Sequence, residues 1–153
     1  MKIRSITYFC NPGWPLDGKK LRAAGAFLSE AKAAFEDAGY EVQTTRLATI
    51  PFPRLLGQGK VSEAPRLAEQ LGRTLQEAGI AYASLGPALP EFPASYEVIP
   101  DAIAASNNIF FAGVMADRKH GIAWLGWWNL LLLFRGSHNR GQYDHGQRGI
   151  QPR

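Results

Sequence analysis

The densest group of chemically reactive side chains in this 153-residue sequence is the run Asp117-Arg118-Lys119-His120. An imidazole exchanges its proton near neutral pH, so His120 is a candidate general acid or base. A carboxylate close by in the chain can orient the ring, which makes Asp117 its candidate partner. The plainer interpretation is a solvated surface loop that Asp117 caps. Glu97 is a third catalytic candidate, although a helix dipole alone favours a glutamate in a first turn.

Four residues are candidate ligand-binding groups because each follows a predicted strand: Asn11, Arg54, Lys60 and Lys119. Backbone N–H groups and a lysine can cradle a phosphate, so Gly57-Gln58-Gly59-Lys60 is a possible anion loop. It lacks the spacing of a P-loop and the third glycine of a dinucleotide fingerprint, which favours a plain flexible loop. No cofactor is implied. No Cys/His cluster has zinc spacing, so no metal site is predicted.

Two other residues lie near the predicted strand ends without a clear chemical signal. Glu91 lies in the proline-rich loop after the third strand. Cys10 ends the first strand, and we expect a small buried hydrophobe there rather than a reactive thiol, because free cysteine is usually buried.

The elements that would position these residues alternate between strands and helices. Strands are predicted over residues 1–10, 40–47, 80–85 and 108–116. The first helix is capped by Asp17 and ended by Gly39, the second has Pro65 in its first turn, and the third covers residues 97–106. The first helix shows an apolar stripe at Leu21, Ala24, Leu28, Ala31, Phe35 and Ala38. The order β-α-β-α-β-α-β predicts an α/β fold with a mostly parallel sheet flanked by helices. Ligands bind such sheets beyond the carboxyl ends of the strands.

The composition changes abruptly after residue 122. Residues 123–134 form an apolar segment rich in tryptophan and leucine, and residues 135–153 form a basic tail dominated by Gly, Arg, His and Gln. The tail holds four of the 17 basic residues and one of the 13 acidic residues, so it contributes most of the net charge of +4. We therefore predict an α/β domain over residues 1–122 followed by an irregular, disordered tail.

Partners and location are predicted from the same segments. The uncharged apolar run over residues 122–134 has 13 residues, fewer than the roughly 20 that a spanning helix needs, so no transmembrane segment is expected. No secretory signal is visible at the start, which favours the cytoplasm. Exposed apolar surface at Trp124, Trp127 and Trp128 predicts self-association. The tail interleaves one aromatic, Tyr143, with its Arg-Gly pairs, so it carries no strong nucleic-acid signal.

Several segments together resemble a known family. They are Lys2-Ile3-Arg4-Ser5-Ile6-Thr7, Gly39-Tyr40-Glu41-Val42-Gln43-Thr44-Thr45-Arg46, Tyr96-Glu97-Val98-Ile99-Pro100-Asp101-Ala102-Ile103, Gly113-Val114-Met115 and His120-Gly121-Ile122. In order and character they resemble the N-terminal part of the uncharacterised bacterial and archaeal family called domain of unknown function 711. The resemblance implies a fold related to the α/β barrels of glycyl radical enzymes, which are built from two parallel half-barrels. It transfers no catalytic residue, and the family's reaction is not established.

Three functional hypotheses follow. The leading one is a fragment of an enzyme-like α/β protein of unknown reaction, not catalytic alone, because the resemblance implies a family fold about three times longer. It includes a shift of reading frame near codon 122, where the resemblance stops and the composition changes. The alternatives are a small flavodoxin-like domain that binds phosphate or nucleotide, and an RNA- or membrane-interaction protein that acts through its tail.

Overall fold

Four parallel strands lie side by side in chain order in the computed structural model, which describes residues 1–123. The strands of this sheet are β1 (Lys2–Cys10), β2 (Glu41–Pro51), β3 (Tyr82–Gly86) and β4 (Ile109–Phe110). The helices between them are α1 (Gly18–Asp37), α2 (Phe52–Leu56), α3 (Ala64–Glu77), α4 (Ala94–Glu97) and α5 (Ile99–Ala104), and a 3-10 turn (Val61–Glu63) precedes α3. A small antiparallel hairpin, β5 (Ala116–Asp117) and β6 (Gly121–Ile122), follows the sheet. The predicted α/β fold with a parallel sheet flanked by helices is confirmed.

Helix α1 begins and ends where its sequence signals predicted. The Asp17 carboxylate accepts hydrogen bonds from the backbone N–H groups of Lys19 and Lys20, and Gly39 has the left-handed φ of 83°. The first half of the apolar stripe is buried, but Phe35 is 42% exposed and meets the edge of the Tyr40 ring. Helical periodicity marks a face without showing how much of it other elements cover.

Helix α3 is the second predicted helix, with Pro65 in its first turn. Its leucines at positions 67, 71 and 75 are fully buried and join the main core. They pack in one cluster with Leu47 of β2 and Ala83 of β3, which lie opposite each other in the sheet.

Three elements near the prolines differ in extent from the prediction. Pro51 and Pro53 indicate a loop after β2, but helix α2 forms there, because a proline is tolerated in a first helical turn, and its Phe52 is fully buried. Helix α5 lies within the predicted residues 97–106 and has Pro100 in its first turn as expected, but a separate short helix, α4, precedes it. The fourth strand is only two residues long, and one isolated bridge, Ala88 to Gly113, continues the pairing.

Within residues 1–123, the strand order leaves one face of the sheet without a helical layer. Crossovers between parallel strands are right-handed, so successive steps in one direction place all the helices on the same face. On the other face, Phe9 is 77% exposed and Phe110 is 55% exposed. We call this the uncovered face, and the register and contacts assign to it Thr7, Phe9, Arg46, Ala48, Tyr82, Ser84 and Phe110.

This order also differs from that of a flavodoxin-like sheet. A doubly wound sheet reverses its order at a switch point, where its ligand binds. Strands β1 to β4 show no reversal and form an open sheet rather than a closed barrel. The topological reason for a nucleotide crevice therefore does not apply to these four strands.

The predicted apolar segment with Trp124, Trp127 and Trp128 and the predicted basic tail lie outside the described residues. Within residues 1–123, the helices are all too short or too polar to cross a membrane.

Glycine 25 tests how closely α1 packs on α3. An added Cβ at Gly25 would overlap the carbonyl oxygen of Ala78, at the end of α3, whereas one at Gly18 would meet only the flexible Arg22 side chain at 3.3 Å. Alanine is favoured over glycine in a helix by about 1 kcal/mol. We nevertheless expect Gly25→Ala to lower the free energy of unfolding by about 1–3 kcal/mol through overpacking. Urea denaturation measures this, and Gly18→Ala is the matched control, expected to be neutral or stabilising. Equal stability of the two variants would contradict the packing.

Candidate functional site

The loops that follow β2, β3 and β4 bring five polar side chains to the carboxyl edge of the sheet. We call these the acid–base cluster: Arg54, Glu91, Tyr96, Asp117 and His120. Arg54 Nη2 lies 2.7 Å from Glu91 Oε1, and His120 Nδ1 lies 2.8 Å from Asp117 Oδ2. When His120 is protonated, its charge acts on Glu91, and the Asp117 and Glu91 carboxylates both act on Tyr96, so the two pairs lie near one another. Three separate connections thus contribute to one site.

The Asp117–His120 pair is built by the hairpin β5–β6. Asp117 Oδ1 accepts hydrogen bonds from the backbone N–H groups of Lys119, at 2.8 Å, and of His120, at 2.6 Å. Gly121 closes the turn with a left-handed φ of 68°. The carboxylate is therefore held in place by the turn and presents Oδ2 to the imidazole.

The hydrogen bond assigns the tautomer of His120. An ionised carboxylate can only accept, so the Nδ1 atom of the neutral ring carries the proton and donates it to Asp117. The other ring nitrogen, Nε2, is then left as a hydrogen-bond acceptor. The side chains of both residues are 31% exposed, so Nε2 can be reached from solvent. This is the arrangement of a proton acceptor with an orienting carboxylate.

The pKa values of both carboxyl groups are lowered by their partners. The hydrogen bond from the His120 side chain is the main cause that lowers the pKa of Asp117, and the backbone N–H groups add to it. The hydrogen bond from Arg54 is the main cause that lowers the pKa of Glu91. Both groups are therefore ionised at neutral pH.

Tyr96 links the loops beneath the cluster. Its ring is 3% exposed, and its hydroxyl donates a hydrogen bond of 2.5 Å to the carbonyl oxygen of Val114. Burial raises the pKa of the Tyr96 phenol, and the negative charges of Asp117 and Glu91 raise it further. Beside it, the fully buried Ser95 hydroxyl accepts a hydrogen bond from the Leu89 N–H. These contacts join the connection after β3 to the chain after β4.

Only two of the three catalytic candidates predicted from the sequence lie in the cluster. Asp117 and His120 lie together as expected, whereas Glu97 is exposed on α4 and makes no hydrogen bond or ion pair within residues 1–123. The carboxylate that the fold brings to the cluster is Glu91. The sequence placed Glu91 in the right loop without a role and missed Tyr96, whose only signal was its position between the third and fourth strands.

The ligand-binding candidates are also separated. Arg54 lies in the cluster. The Asn11 side chain accepts the N–H of Gly13 at 3.0 Å and so serves a local turn. Lys60 is exposed after a turn in which Gly57 and Gly59 have positive φ, and Lys119 is exposed in the hairpin. No hydrogen bond or ion pair described in the structure connects Asn11 or Lys60 with the cluster.

Cys10 is only half-buried, whereas a buried side chain was expected there. Its side chain is half-buried against the core, and burial raises the pKa of its thiol against the opposing effect of Lys20. The thiol is therefore protonated at neutral pH and a weak nucleophile. In the part of the chain that the structure describes, no three His, Cys, Asp or Glu side chains are grouped to hold a metal ion.

Replacement of His120 tests which partner controls each carboxyl group. In His120→Ala we expect the pKa of Asp117 to rise toward its ordinary value, because the ring supplies the main hydrogen bond. The lowered pKa of Asp117 stabilises the folded hairpin at pH values above the ordinary carboxyl pKa, and this contribution is lost as the pH falls through the lowered value. The variant should therefore keep only the smaller contribution that comes from the backbone N–H groups. Carbon-detected NMR titration measures both carboxyl groups.

Glu91 is the internal control in this titration, because Arg54 rather than His120 dominates its pKa. Arg54→Ala should give the reverse pattern, with a raised pKa of Glu91 and little change at Asp117. An Asp117 titration that is the same with and without the His120 ring would contradict the assigned pair.

Comparison with known proteins identifies a family without adding a reaction. No curated protein and no solved structure gives a significant match to the sequence. Residues 1–126 match the family described as Uncharacterised ACR (DUF711). The match covers the whole described sheet and the acid–base cluster, and it agrees with the resemblance noted over residues 1–122. The chain belongs to the DUF711 family.

Proposed function

We propose that the chain carries the acid–base part of an enzyme active site, in which His120 is the proton acceptor and Asp117 orients it. The observation that supports this is the hydrogen bond of 2.8 Å between His120 Nδ1 and Asp117 Oδ2 at the carboxyl edge of a parallel sheet. In α/β barrels, whose parallel strands also follow one another in a single direction, ligands bind at the carboxyl ends of the strands. The family is uncharacterised, so the proposal rests on this geometry alone.

Each member of the cluster has a role in the proposal. His120 Nε2 takes a proton from the substrate or from a water molecule, and the Asp117 carboxylate stabilises the imidazolium that forms. One terminal amino group of Arg54 donates a hydrogen bond to Glu91. The other N–H groups of the guanidinium can bind a negatively charged oxygen of the substrate. Tyr96 is a positioning residue, because its hydroxyl is occupied by Val114.

The exposure of the cluster supports a site that is incomplete in this chain alone. The Arg54 side chain is 60% exposed and that of Glu91 is 34% exposed. Electrostatic catalysis is strongest where water is excluded. We therefore propose that the chain alone is a poor catalyst and that the site is closed by further family structure, as in the fragment hypothesis.

Several expectations from the sequence remain predictions. They are the domain boundary at residue 122, the shift of reading frame near that codon, the cytoplasmic location and self-association through Trp124, Trp127 and Trp128. The structure adds two exposed aromatic side chains on the uncovered face, Phe9 and Phe110, to the apolar surface that supports self-association.

Hydrolysis of p-nitrophenyl acetate tests whether Asp117 activates the unprotonated Nε2 of His120, without knowledge of the natural substrate. The ester reacts with the unprotonated nitrogen of an imidazole, so each accessible histidine contributes. If Asp117 activates His120, His120→Gln should lower the hydrolysis rate, after the buffer rate is subtracted, by about tenfold or more. A base in a fully formed active site contributes about 10²–10⁴-fold, and the exposed cluster should contribute less. Asp117→Asn should lower it several-fold while leaving the ring in place. The rate is followed by absorbance between pH 5 and 9.

His138→Gln is the matched control, because it removes one of the three histidines of the chain from the basic tail. It should leave the rate nearly unchanged. Equal losses in His120→Gln and His138→Gln would show generic imidazole reactivity and reject the proposed role.

A further inference from the structure

A polar groove lies at the amino half of the sheet, apart from the acid–base cluster. It has a volume of about 480 Å³ and is lined by Arg4, Ser5, Gln43, Thr44, Arg46 and Tyr82. That volume falls within the range of small-molecule sites. Along β2, Arg46 precedes the carboxyl end at Pro51 by five residues, or roughly 16 Å at the rise of a strand. The groove is therefore a separate site.

The strand register places the floor of the groove on the uncovered face. Arg46 lies opposite Thr7 of β1 and opposite Tyr82 of β3. Arg46 Nε donates a hydrogen bond of 2.6 Å to Thr7 Oγ1, and the Tyr82 ring meets the Phe110 ring edge-on at 5.3 Å. Ser5 and Thr44 form the next pair on the same face. The guanidinium is thus anchored at Nε, with its two terminal amino groups left for another partner.

The lining carries positive charge without a compensating carboxylate. None of the six residues is acidic, and of the two arginines only Arg46 projects from this face, because alternation along β1 sets Arg4 opposite to Ser5 and Thr7. Within residues 1–123, neither arginine forms an ion pair, and the nearby Glu41 is paired with Lys2 at 2.9 Å. A half-buried charge without a charged partner is unfavourable, so binding of an anion in the groove lowers the free energy of the protein. The hydroxyl groups of Ser5 and Tyr82 add neutral hydrogen-bonding groups to the same wall.

We propose that this groove binds a small molecule through a carboxylate or phosphate group, with Arg46 as the main contact. The terminal amino groups of a guanidinium match two oxygens of either group in a forked, charge-assisted pair. Tyr82 contributes an aromatic surface beside the anion.

Isothermal titration of the full chain at low ionic strength tests the site, since salt screens such contacts. The probes are sodium pyrophosphate and sodium citrate, used separately. We expect one saturable site per chain for at least one probe, and a Kd raised about tenfold or more by Arg46→Gln. Arg46→Lys should raise the Kd several-fold, because it keeps the charge but loses the fork. Tighter binding of pyrophosphate assigns a phosphate ligand, and tighter binding of citrate assigns a carboxylate.

Two matched controls remove the same charge elsewhere. Arg22→Gln lies on the exposed side of α1, and Arg148→Gln lies in the basic tail. Both should change the Kd less than about twofold, since a charge that acts on the anion only through water, where the dielectric constant is high, contributes little to binding. His120→Gln should also leave the Kd unchanged, which separates this site from the proposed proton acceptor.

The proposal is overturned if neither probe shows saturable binding up to about 10 mM, an affinity too weak for a built site. It is also overturned if the controls weaken binding as much as Arg46→Gln does, because net charge would then explain the binding. Thermal melting checks that each variant folds. If Arg46→Gln does not fold, Arg46→Lys and Tyr82→Phe carry the test, and no change of Kd in either would reject the site.

Discussion

Each connection between neighbouring strands moves one step in the same direction, from β1 to β4, and this constraint decides which surfaces are buried. Because the crossovers share one hand, the helices collect on a single face and their apolar sides form one core with Leu47 and Ala83. The other face keeps exposed aromatic side chains and a partly buried arginine. A doubly wound sheet of the same elements would have covered both faces and created a crevice between them.

The same topology separates the two candidate sites. The carboxyl ends of β2, β3 and β4 bring loops together that are distant in sequence, so Arg54 meets Glu91 and both adjoin His120. At the amino half, side chains project from the strands themselves rather than from loops. The first site contains paired opposite charges that orient one another, whereas the groove contains positive charge without a carboxylate. One arrangement suits proton transfer and the other suits the binding of an anion.

Much of the fold could be predicted because its signals are local. A capping aspartate, a regular apolar spacing and a terminal glycine are all contained within α1, and α3 has similar signals. The errors occurred where distant contacts decide the outcome. Phe52 packs in the core as part of a helix, in a segment that Pro51 and Pro53 mark as a loop, and β4 pairs with β3 at only two residues.

The sequence by itself determined the alternation of strands and helices, the family, and the pairing of Asp117 with His120. These depend on residues that are close together in the chain, where spacing is enough to predict contact. Only the tertiary structure decided that Glu91 rather than Glu97 joins the cluster, that Tyr96 supports it from below, and that Arg46 faces an uncovered groove. Those outcomes depend on loop paths and strand order, since the face of a sheet that is buried is set by its helices rather than by the strand sequence alone.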